Sequence, residues 1–212
     1  MEISYTNFKF IDFGYIIADL PKDLYDSLLK ETSVMQQDFS KAIPRHKTLA
    51  GHLLHEYEIV DSAKELEKFV LNLVMLYDKE YGNLHEIDML TSNVPMVMEH
   101  PWVNFQQKYE FNPVHNHRGI MSFVTWLQIP YDLQTEFEQG PGRYRTEQIN
   151  SAFQFVYVGN LGQTATKTIK IDKTFEGKIM IFPSKLMHTV YPFYTSDDYR
   201  ISVAGNVMLK PN

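Results

Sequence analysis

Two histidines spaced two positions apart are the first residues in this chain that suggest chemistry. His115 and His117 lie in the stretch FNPVHNHRGIMSFVTWLQIP, residues 111–130, just before a run that is typical of a buried strand. Successive side chains of a strand point to opposite faces, so both imidazoles would share one face, with Asn116 on the other. Two imidazoles placed in this way can bind one metal ion.

A metal site needs at least one further ligand from another strand, and His188 in FPSKLMHTVYPF is the natural candidate. The chain contains no cysteine, which restricts metal ligands to histidine, aspartate and glutamate. An isolated histidine pair in a strand can equally be a hydrogen-bonded core or rim feature. His52 and His55, three positions apart, favour a solvated segment over a second metal site.

Arg200 and Ser202 have the spacing R-x-S, which places them on one face of a strand. A turn at residues 195–198 would return the chain antiparallel and bring Arg200 alongside the strand that begins at His188. A buried guanidinium prefers a bidentate carboxylate, and the neighbours on this face are Ser202, Ala204 and Asn206. An arginine without an internal partner therefore indicates a ligand that brings its own carboxylate.

The elements that must position these residues are mostly short strands. From residue 94 onward, strand-like runs alternate with turn signals, which is typical of a jelly roll or barrel. Before them, Pro21 opens a helix through Gln37, and residues 61–82 predict a second helix with a capping box at Ser62 and Glu65 and a stop at Gly82. Residues 1–18 predict one or two strands, and 131–150 a long polar loop that either forms a lid or is a surface excursion.

We therefore expect a mainly β fold with flanking helices (α+β) and a jelly-roll, cupin-like core. The 212 residues predict one domain, in which a strand and helix portion, about 1–90, packs on the core, about 94–210. The net charge of −6 gives no indication of nucleic-acid binding, and no apolar run is long enough to span a membrane. The first residues, MEISYTNFKF, lack the pattern of a signal peptide.

Three stretches, HNHRGIMSFVTWLQIP, GKIMIFPSKLMHTVYPF and YRISVAGN, resemble the iron(II)/2-oxoglutarate-dependent oxygenases of tailed phages that infect marine bacteria. The likeness extends from LAGHLLHEYEIVD to the C-terminus, and the wider resemblance is to the 2-oxoglutarate oxygenase superfamily. This superfamily has a double-stranded β-helix, an H-x-D/E pair, a distal histidine and a later R-x-S.

The resemblance implies roles for individual residues. His115 and His188 match the first and distal iron ligands, Arg200 and Ser202 match the residues that bind the far carboxylate of 2-oxoglutarate, and Asn104 and Gln106 lie at offsets that touch the cosubstrate in some members. His117 departs from the pattern because a carboxylate usually stands there. Either His117 is the third ligand or a carboxylate from elsewhere, such as Glu99, Glu110 or Asp132, completes the site.

The implied activity is that of an Fe(II)- and 2-oxoglutarate-dependent dioxygenase that uses O2, hydroxylates a substrate and releases succinate and CO2. The substrate class stays open between protein, nucleotide and metabolite. A phage product would act in the cytoplasm of the infected host. The alternatives are a three-histidine metalloenzyme that does not use 2-oxoglutarate, of zinc or cupin type, and a non-enzymatic jelly-roll binding module.

Overall fold

Two antiparallel β-sheets form the centre of the computed structural model, which describes residues 13–45, 49, 51–82 and 95–210. In this part of the chain, one sheet has the strand order β1-β9-β6-β11-β4-β2, with β3 also paired to β11, and the other has the order β5-β10-β7-β8. The strands are β1 (Ile16–Asp19), β2 (Glu56–Glu58), β3 (Met96–Met98), β4 (Trp102–Gln106), β5 (Asn112–His115), β6 (Met121–Gln128), β7 (Phe153–Val158), β8 (Thr164–Ile169), β9 (Lys178–Pro183), β10 (Met187–Val190) and β11 (Arg200–Leu209). The expected mainly β fold with flanking helices is confirmed.

The two helices that precede the core strands pack on the outer face of the larger sheet. Helix α1 (Lys22–Gln37) buries Leu24 and Leu28, and helix α2 (Ala63–Tyr81) buries an apolar stripe that includes Leu66 and Val70. These side chains share one hydrophobic cluster with the outward-facing residues of the larger sheet. A third helix, α3 (Leu133–Gln139), lies within the segment for which a long loop was expected. No helix in the described ranges combines the length and apolarity needed to cross a membrane.

The start of helix α2 differs from the prediction. Ser62 occupies the N-cap position but its side chain makes no capping hydrogen bond, so the predicted capping box with Glu65 is wrong. The carboxylate of Glu31, on α1, instead accepts hydrogen bonds from the backbone N–H groups of residues 60–62. A buried anion at a helix N-terminus satisfies the same donors and is favoured by the helix dipole. The stop at Gly82 is confirmed, with φ at 68°.

The two faces of the larger sheet pack against different parts of the protein. Along β11, Ile201 and Val203 belong to the cluster with the helices, whereas Arg200 and Ser202 point between the two sheets. The inner faces of both sheets meet in a second cluster, which includes Trp126 of β6 and Phe153 and Phe155 of β7. The alternation that strands impose therefore places the R-x-S pair inside the molecule.

The predicted pairing of Arg200 with the strand of His188 is wrong. The strand β10 carries His188 and pairs with β5 and β7 in the smaller sheet, whereas β11 pairs with β4 and β6 in the larger sheet. The chain crosses from one sheet to the other between them, so the two residues face each other across the sandwich. Residues 1–12, which were expected to form strands, lie outside the described residues.

Candidate active site

Three imidazoles converge between the sheets near one end of the sandwich. The donor nitrogens of His115, His117 and His188 all lie within 4.8 Å of one another, and Nε2 of His117 is 3.2 Å from Nε2 of His188. Metal–nitrogen bonds of about 2.1 Å at a right angle would place two ligand atoms about 3 Å apart. The spacing therefore suits ligands that share one ion.

The backbone orients two of these rings. Nδ1 of His115 lies 2.7 Å from the carbonyl oxygen of Pro113, and Nδ1 of His188 lies 2.9 Å from that of Leu186. Because only a protonated Nδ1 can donate to a carbonyl, each ring keeps its proton there and directs the lone pair of Nε2 inward. Such hydrogen bonds commonly fix the tautomer and orientation of metal-binding histidines. The two histidines also stand directly opposite each other on β5 and β10.

The surroundings keep all three imidazoles neutral near pH 7. Burial lowers the pKa of His188 to about 3, with a further contribution from His115. Burial and the proximity of His115 lower the pKa of His117 to about 4. Burial also lowers the pKa of His115, partly opposed by its hydrogen bond to Pro113. Neutral imidazoles can bind a metal ion without first losing a proton.

His117 lies outside strand β5, so strand alternation does not explain its position in the cluster. Strand β5 ends at His115, and His117 lies beyond it with its backbone N–H bonded to the carbonyl oxygen of Ser184. The carboxylates considered as substitutes lie elsewhere: Glu99 contacts Arg118, Glu110 accepts hydrogen bonds from two backbone N–H groups, and Asp132 caps helix α3. Among the described residues, the metal-ligand cluster consists of the three histidines alone.

Arg200 is only 2% exposed and faces the same interior. Contrary to the prediction, it has internal partners. Its Nε and Nη2 groups donate to Oε1 of Gln106, and its remaining N–H groups donate to the hydroxyl of Tyr131 and to the carbonyl oxygens of Ser151 and Tyr191. Every one of these acceptors is neutral. The buried guanidinium is thus hydrogen-bonded, and in the described ranges no carboxylate forms an ion pair with it.

The predicted polar residues of β4 stand directly across from the R-x-S pair. Gln106 pairs with Arg200 and Asn104 pairs with Ser202 in the strand register. The Nδ2 group of Asn104 lies 3.4 Å from Oγ of Ser202. The sequence placed these four residues on two separate strand faces, and the antiparallel pairing of β4 with β11 brings them together.

A cavity of about 50 Å³ joins the histidines to Arg200. Its polar lining consists of the three histidines, Arg200, Ser202 and three carboxamides, and its apolar lining includes Trp126 and Phe153. No aspartate or glutamate is among these lining residues. With a divalent ion at the imidazoles, the cavity would therefore carry positive charge at both ends. It is suited to an anionic ligand.

The segment 131–150 contributes none of the residues that line the cavity, and whether it forms a lid over the substrate stays a prediction. The fully buried carboxylate of Glu136, on helix α3, accepts hydrogen bonds from the backbone N–H groups of Tyr194 and Thr195 and ties the segment to the connection that precedes β11. The rings of His52 and His55 stack on Phe111 and Phe39, and neither residue belongs to the metal-ligand cluster found among the described residues.

The sequence did not reveal the partners of Arg200. It also did not reveal two polar residues near the cavity, the acidic Glu56 and the amide Asn112. Tyr131, Ser151 and Tyr191 come from three separate segments, and no spacing rule connects them to β11. Ser151 has a φ of 59°, which is unusual for a residue other than glycine and directs its carbonyl group toward the guanidinium. Glu56 and Asn112 could have been noticed as polar residues in strand-like surroundings.

The fold and the site together define a class: jelly-roll proteins with a metal-ligand cluster and a buried arginine between the sheets. The family model described as "Putative 2OG-Fe(II) oxygenase" matches residues 100–206, just over half of the chain. The chain belongs to this 2OG-Fe(II) oxygenase family, which uses Fe(II), 2-oxoglutarate and O2. The comparison with curated proteins gave no match.

Solved structures share the fold at low sequence identity. A prolyl-4-hydroxylase from Pseudomonas putida is 12% identical with a TM-score of 0.58, and the alignment covers 93% of this chain and 94% of that one. A prolyl hydroxylase from Trichoplax adhaerens, solved with a hypoxia inducible factor peptide fragment, is 12% identical with a TM-score of 0.52 and coverages of 92% and 83%. The alpha ketoglutarate dependent epimerase SnoN from nogalamycin biosynthesis is 11% identical with a TM-score of 0.54 and coverages of 92% and 78%. The core of this chain is accordingly a double-stranded β-helix.

Proposed function

We propose that this protein is an Fe(II)- and 2-oxoglutarate-dependent dioxygenase that hydroxylates an organic substrate, with His115, His117 and His188 as the iron ligands. The observation that carries the proposal is the shared cavity: three neutral imidazoles at one end and a buried guanidinium without a carboxylate at the other. This donor set fits a divalent ion, and the guanidinium fits an anionic cosubstrate.

The charge balance of the site favours a dianion. Three neutral imidazoles leave the +2 charge of the metal uncompensated, and Arg200 adds one further positive charge. Because no carboxylate side chain lines the cavity, a ligand must supply the negative charge. The two carboxylates of 2-oxoglutarate meet this requirement.

Arg200 and Ser202 are the residues that we assign to the far carboxylate of 2-oxoglutarate. Binding requires the guanidinium to exchange some of its neutral acceptors for a carboxylate. The exchange is favourable because a carboxylate compensates the buried positive charge, which neutral acceptors cannot do. Gln106 already holds two N–H groups of Arg200 and would position it, while Asn104 stands beside Ser202 and offers its Nδ2 group as a donor to the cosubstrate.

When bound, iron and 2-oxoglutarate supply the chemistry of the family: O2 gives one oxygen atom to succinate, formed with CO2, and the other to a C–H bond of the substrate. The residues of this chain bind, orient and shield these groups. The backbone carbonyl groups of Pro113 and Leu186 hold two of the ring nitrogens in the ligating orientation. The aromatic wall, which includes Trp126 and Phe153, excludes water.

The experiment adds Fe(II) and 2-oxoglutarate to the purified protein without oxygen and records the visible spectrum. We expect a metal-to-ligand charge-transfer band, and after admission of O2 we expect succinate. The variant His188→Ala should lose the band and the metal, whereas His100→Ala, a change of an exposed histidine outside the cluster, should retain both. Arg200→Ala should retain the metal and weaken 2-oxoglutarate binding.

A second candidate is a three-histidine metalloenzyme that does not use 2-oxoglutarate. It is favoured by the hydrogen bonds of Arg200, which are already satisfied within the protein, and by the small cavity. In that case the protein would bind one metal ion at the histidines but give neither the visible band nor succinate. Metal analysis beside the spectrum separates the two functions.

The phage origin, and with it action in the cytoplasm of an infected host, stays a prediction that depends on the resemblance of the sequence. The substrate class also stays open between protein, nucleotide and metabolite. The Trichoplax adhaerens relative of similar fold was solved with a peptide, which makes a protein side chain one reasonable class to assay. Succinate formation in the presence of host extracts, with Arg200→Ala as control, would guide that search.

A further inference from the structure

Three buried oxygen atoms beside the cavity have no hydrogen-bond donor. They are Oε2 of Glu56, Oδ1 of Asn104 and Oδ1 of Asn112. Glu56 is only 1% exposed and Asn104 only 8%. A buried acceptor without a donor costs about 1–3 kcal/mol, and more if it is charged. Three of them together indicate a place that is completed by a ligand.

The side chains that carry these three acceptors are neighbours, and two of them line the cavity of the histidine cluster. Glu56 stands directly opposite Asn104 in the pairing of β2 with β4. A Cβ atom built on Gly51 would lie 2.6 Å from Oδ1 of Asn112 and 3.2 Å from Oε1 of Glu56, so these two side chains flank one point. Asn104 and Asn112 line the same cavity as the three histidines. A ligand group bound here would therefore hold another part of the same ligand near the metal.

Glu56 can give this place a negative charge, although burial disfavours the charged form. No cationic side chain pairs with Glu56 in the described ranges. Burial, followed by the repulsion of Glu110, raises the pKa of Glu56 to about 7. Glu110 is not available as a partner because its carboxylate accepts hydrogen bonds from the backbone N–H groups of Leu54 and Gln107. A cation bound here would stabilise the carboxylate form of Glu56, which a neutral molecule would not do.

We propose that Glu56, Asn104 and Asn112 form a subsite for a nitrogen cation of the prime substrate, an ammonium or a guanidinium group. Glu56 supplies the charge, and the two amide oxygens accept the remaining N–H donors. An ammonium group has three donors and a guanidinium has five, so both can satisfy the three oxygens. A neutral hydroxyl group would leave the carboxylate uncompensated. The proposal rests on the proposed function for the chemistry that follows binding.

The test measures binding to the metal-free, full-length protein by saturation-transfer NMR, which needs no turnover. The probes are methylammonium and methylguanidinium, each with a neutral counterpart, methanol and N-methylurea, at concentrations up to about 20 mM because ligands of this size bind weakly. We expect at least one cation to bind about tenfold more tightly than its neutral counterpart. Comparison of the two cations distinguishes an amine substrate from a guanidine substrate.

Two variants and one control make the result specific. Glu56→Gln should weaken cation binding about tenfold. Gly51→Ala should also weaken it, because the new methyl group occupies the space between Asn112 and Glu56. Glu58→Gln removes a charge from the same strand, where Glu58 contacts His100, and should leave binding unchanged.

The subsite proposal would be overturned if cations and their neutral counterparts bound equally well, or if no cation bound. It would also be overturned if Glu56→Gln bound the cation as tightly as the wild type does. Failure of the proposed function looks different. In that case the cations would still bind the metal-free protein, but Fe(II) and 2-oxoglutarate would give no charge-transfer band. The two hypotheses are therefore tested separately.

Discussion

Glu56→Gln should stabilise the protein, and the effect should depend on pH. In the folded state burial raises the pKa of this carboxyl group from 4.5 to about 7. At 1.36 kcal/mol for each pKa unit, the charged carboxylate lowers the free energy of unfolding by about 3 kcal/mol at high pH. Below about pH 4.5 the group is protonated in both the folded and the unfolded state, and the penalty disappears. Stability is therefore lost progressively as the pH rises from about 4.5 to about 7, and a glutamine avoids this loss.

Thermal unfolding of wild type and Glu56→Gln between pH 5 and 9 measures the effect. For a chain of this length, about 3 kcal/mol corresponds to a difference in Tm of roughly 6–12 °C, with the variant more stable at the alkaline end. The matched control Glu58→Gln should stay within about 1 kcal/mol of wild type, because Glu58 is partly exposed and contacts His100. A difference in Tm between wild type and Glu56→Gln that does not change with pH would refute the reasoning. A variant less stable than wild type at pH 9 would also refute it and show that Glu56 has a compensating partner.

Three further predictions concern the site and its support. Metal bound at the histidines should persist below pH 6.5, because burial lowers the pKa of all three rings, that of His117 to about 4 and that of His188 to about 3; metal analysis after dialysis at each pH checks this. Arg200→Lys should weaken 2-oxoglutarate binding at least about tenfold while the metal is retained, because an ammonium group cannot reproduce a bidentate contact; anaerobic titration measures it, and unchanged affinity would remove the assigned role. Glu136→Ala should lower the free energy of unfolding by about 3 kcal/mol, because it leaves the N–H groups of residues 194 and 195 without their acceptor, whereas Glu138→Ala on the exposed face of α3 should change it by less than about 0.5 kcal/mol in denaturant unfolding.

The strands and the two long helices could be predicted because their patterns are local. Strand alternation placed Arg200 with Ser202, and Asn104 with Gln106, on common faces, and the structure has both pairs as expected. The helical spacing of Leu66 and Val70 likewise predicts one buried stripe, and both residues are buried in the structure. Such regularities follow from the geometry of a single element, which neighbouring elements do not alter.

The sequence by itself determined which residue types are available for chemistry: three histidines in two segments, no cysteine, and an R-x-S pair on one strand face. Only the tertiary structure decided that β10 and β11 lie in different sheets, that Glu31 rather than a capping box begins helix α2, and that the partners of Arg200 come from four segments. The physical reason is that hydrogen bonds between distant segments depend on how the sheets pack and on where the chain crosses between them. The spacing of neighbouring residues does not encode this packing or this crossing. It does encode the face of a strand or helix on which a side chain lies.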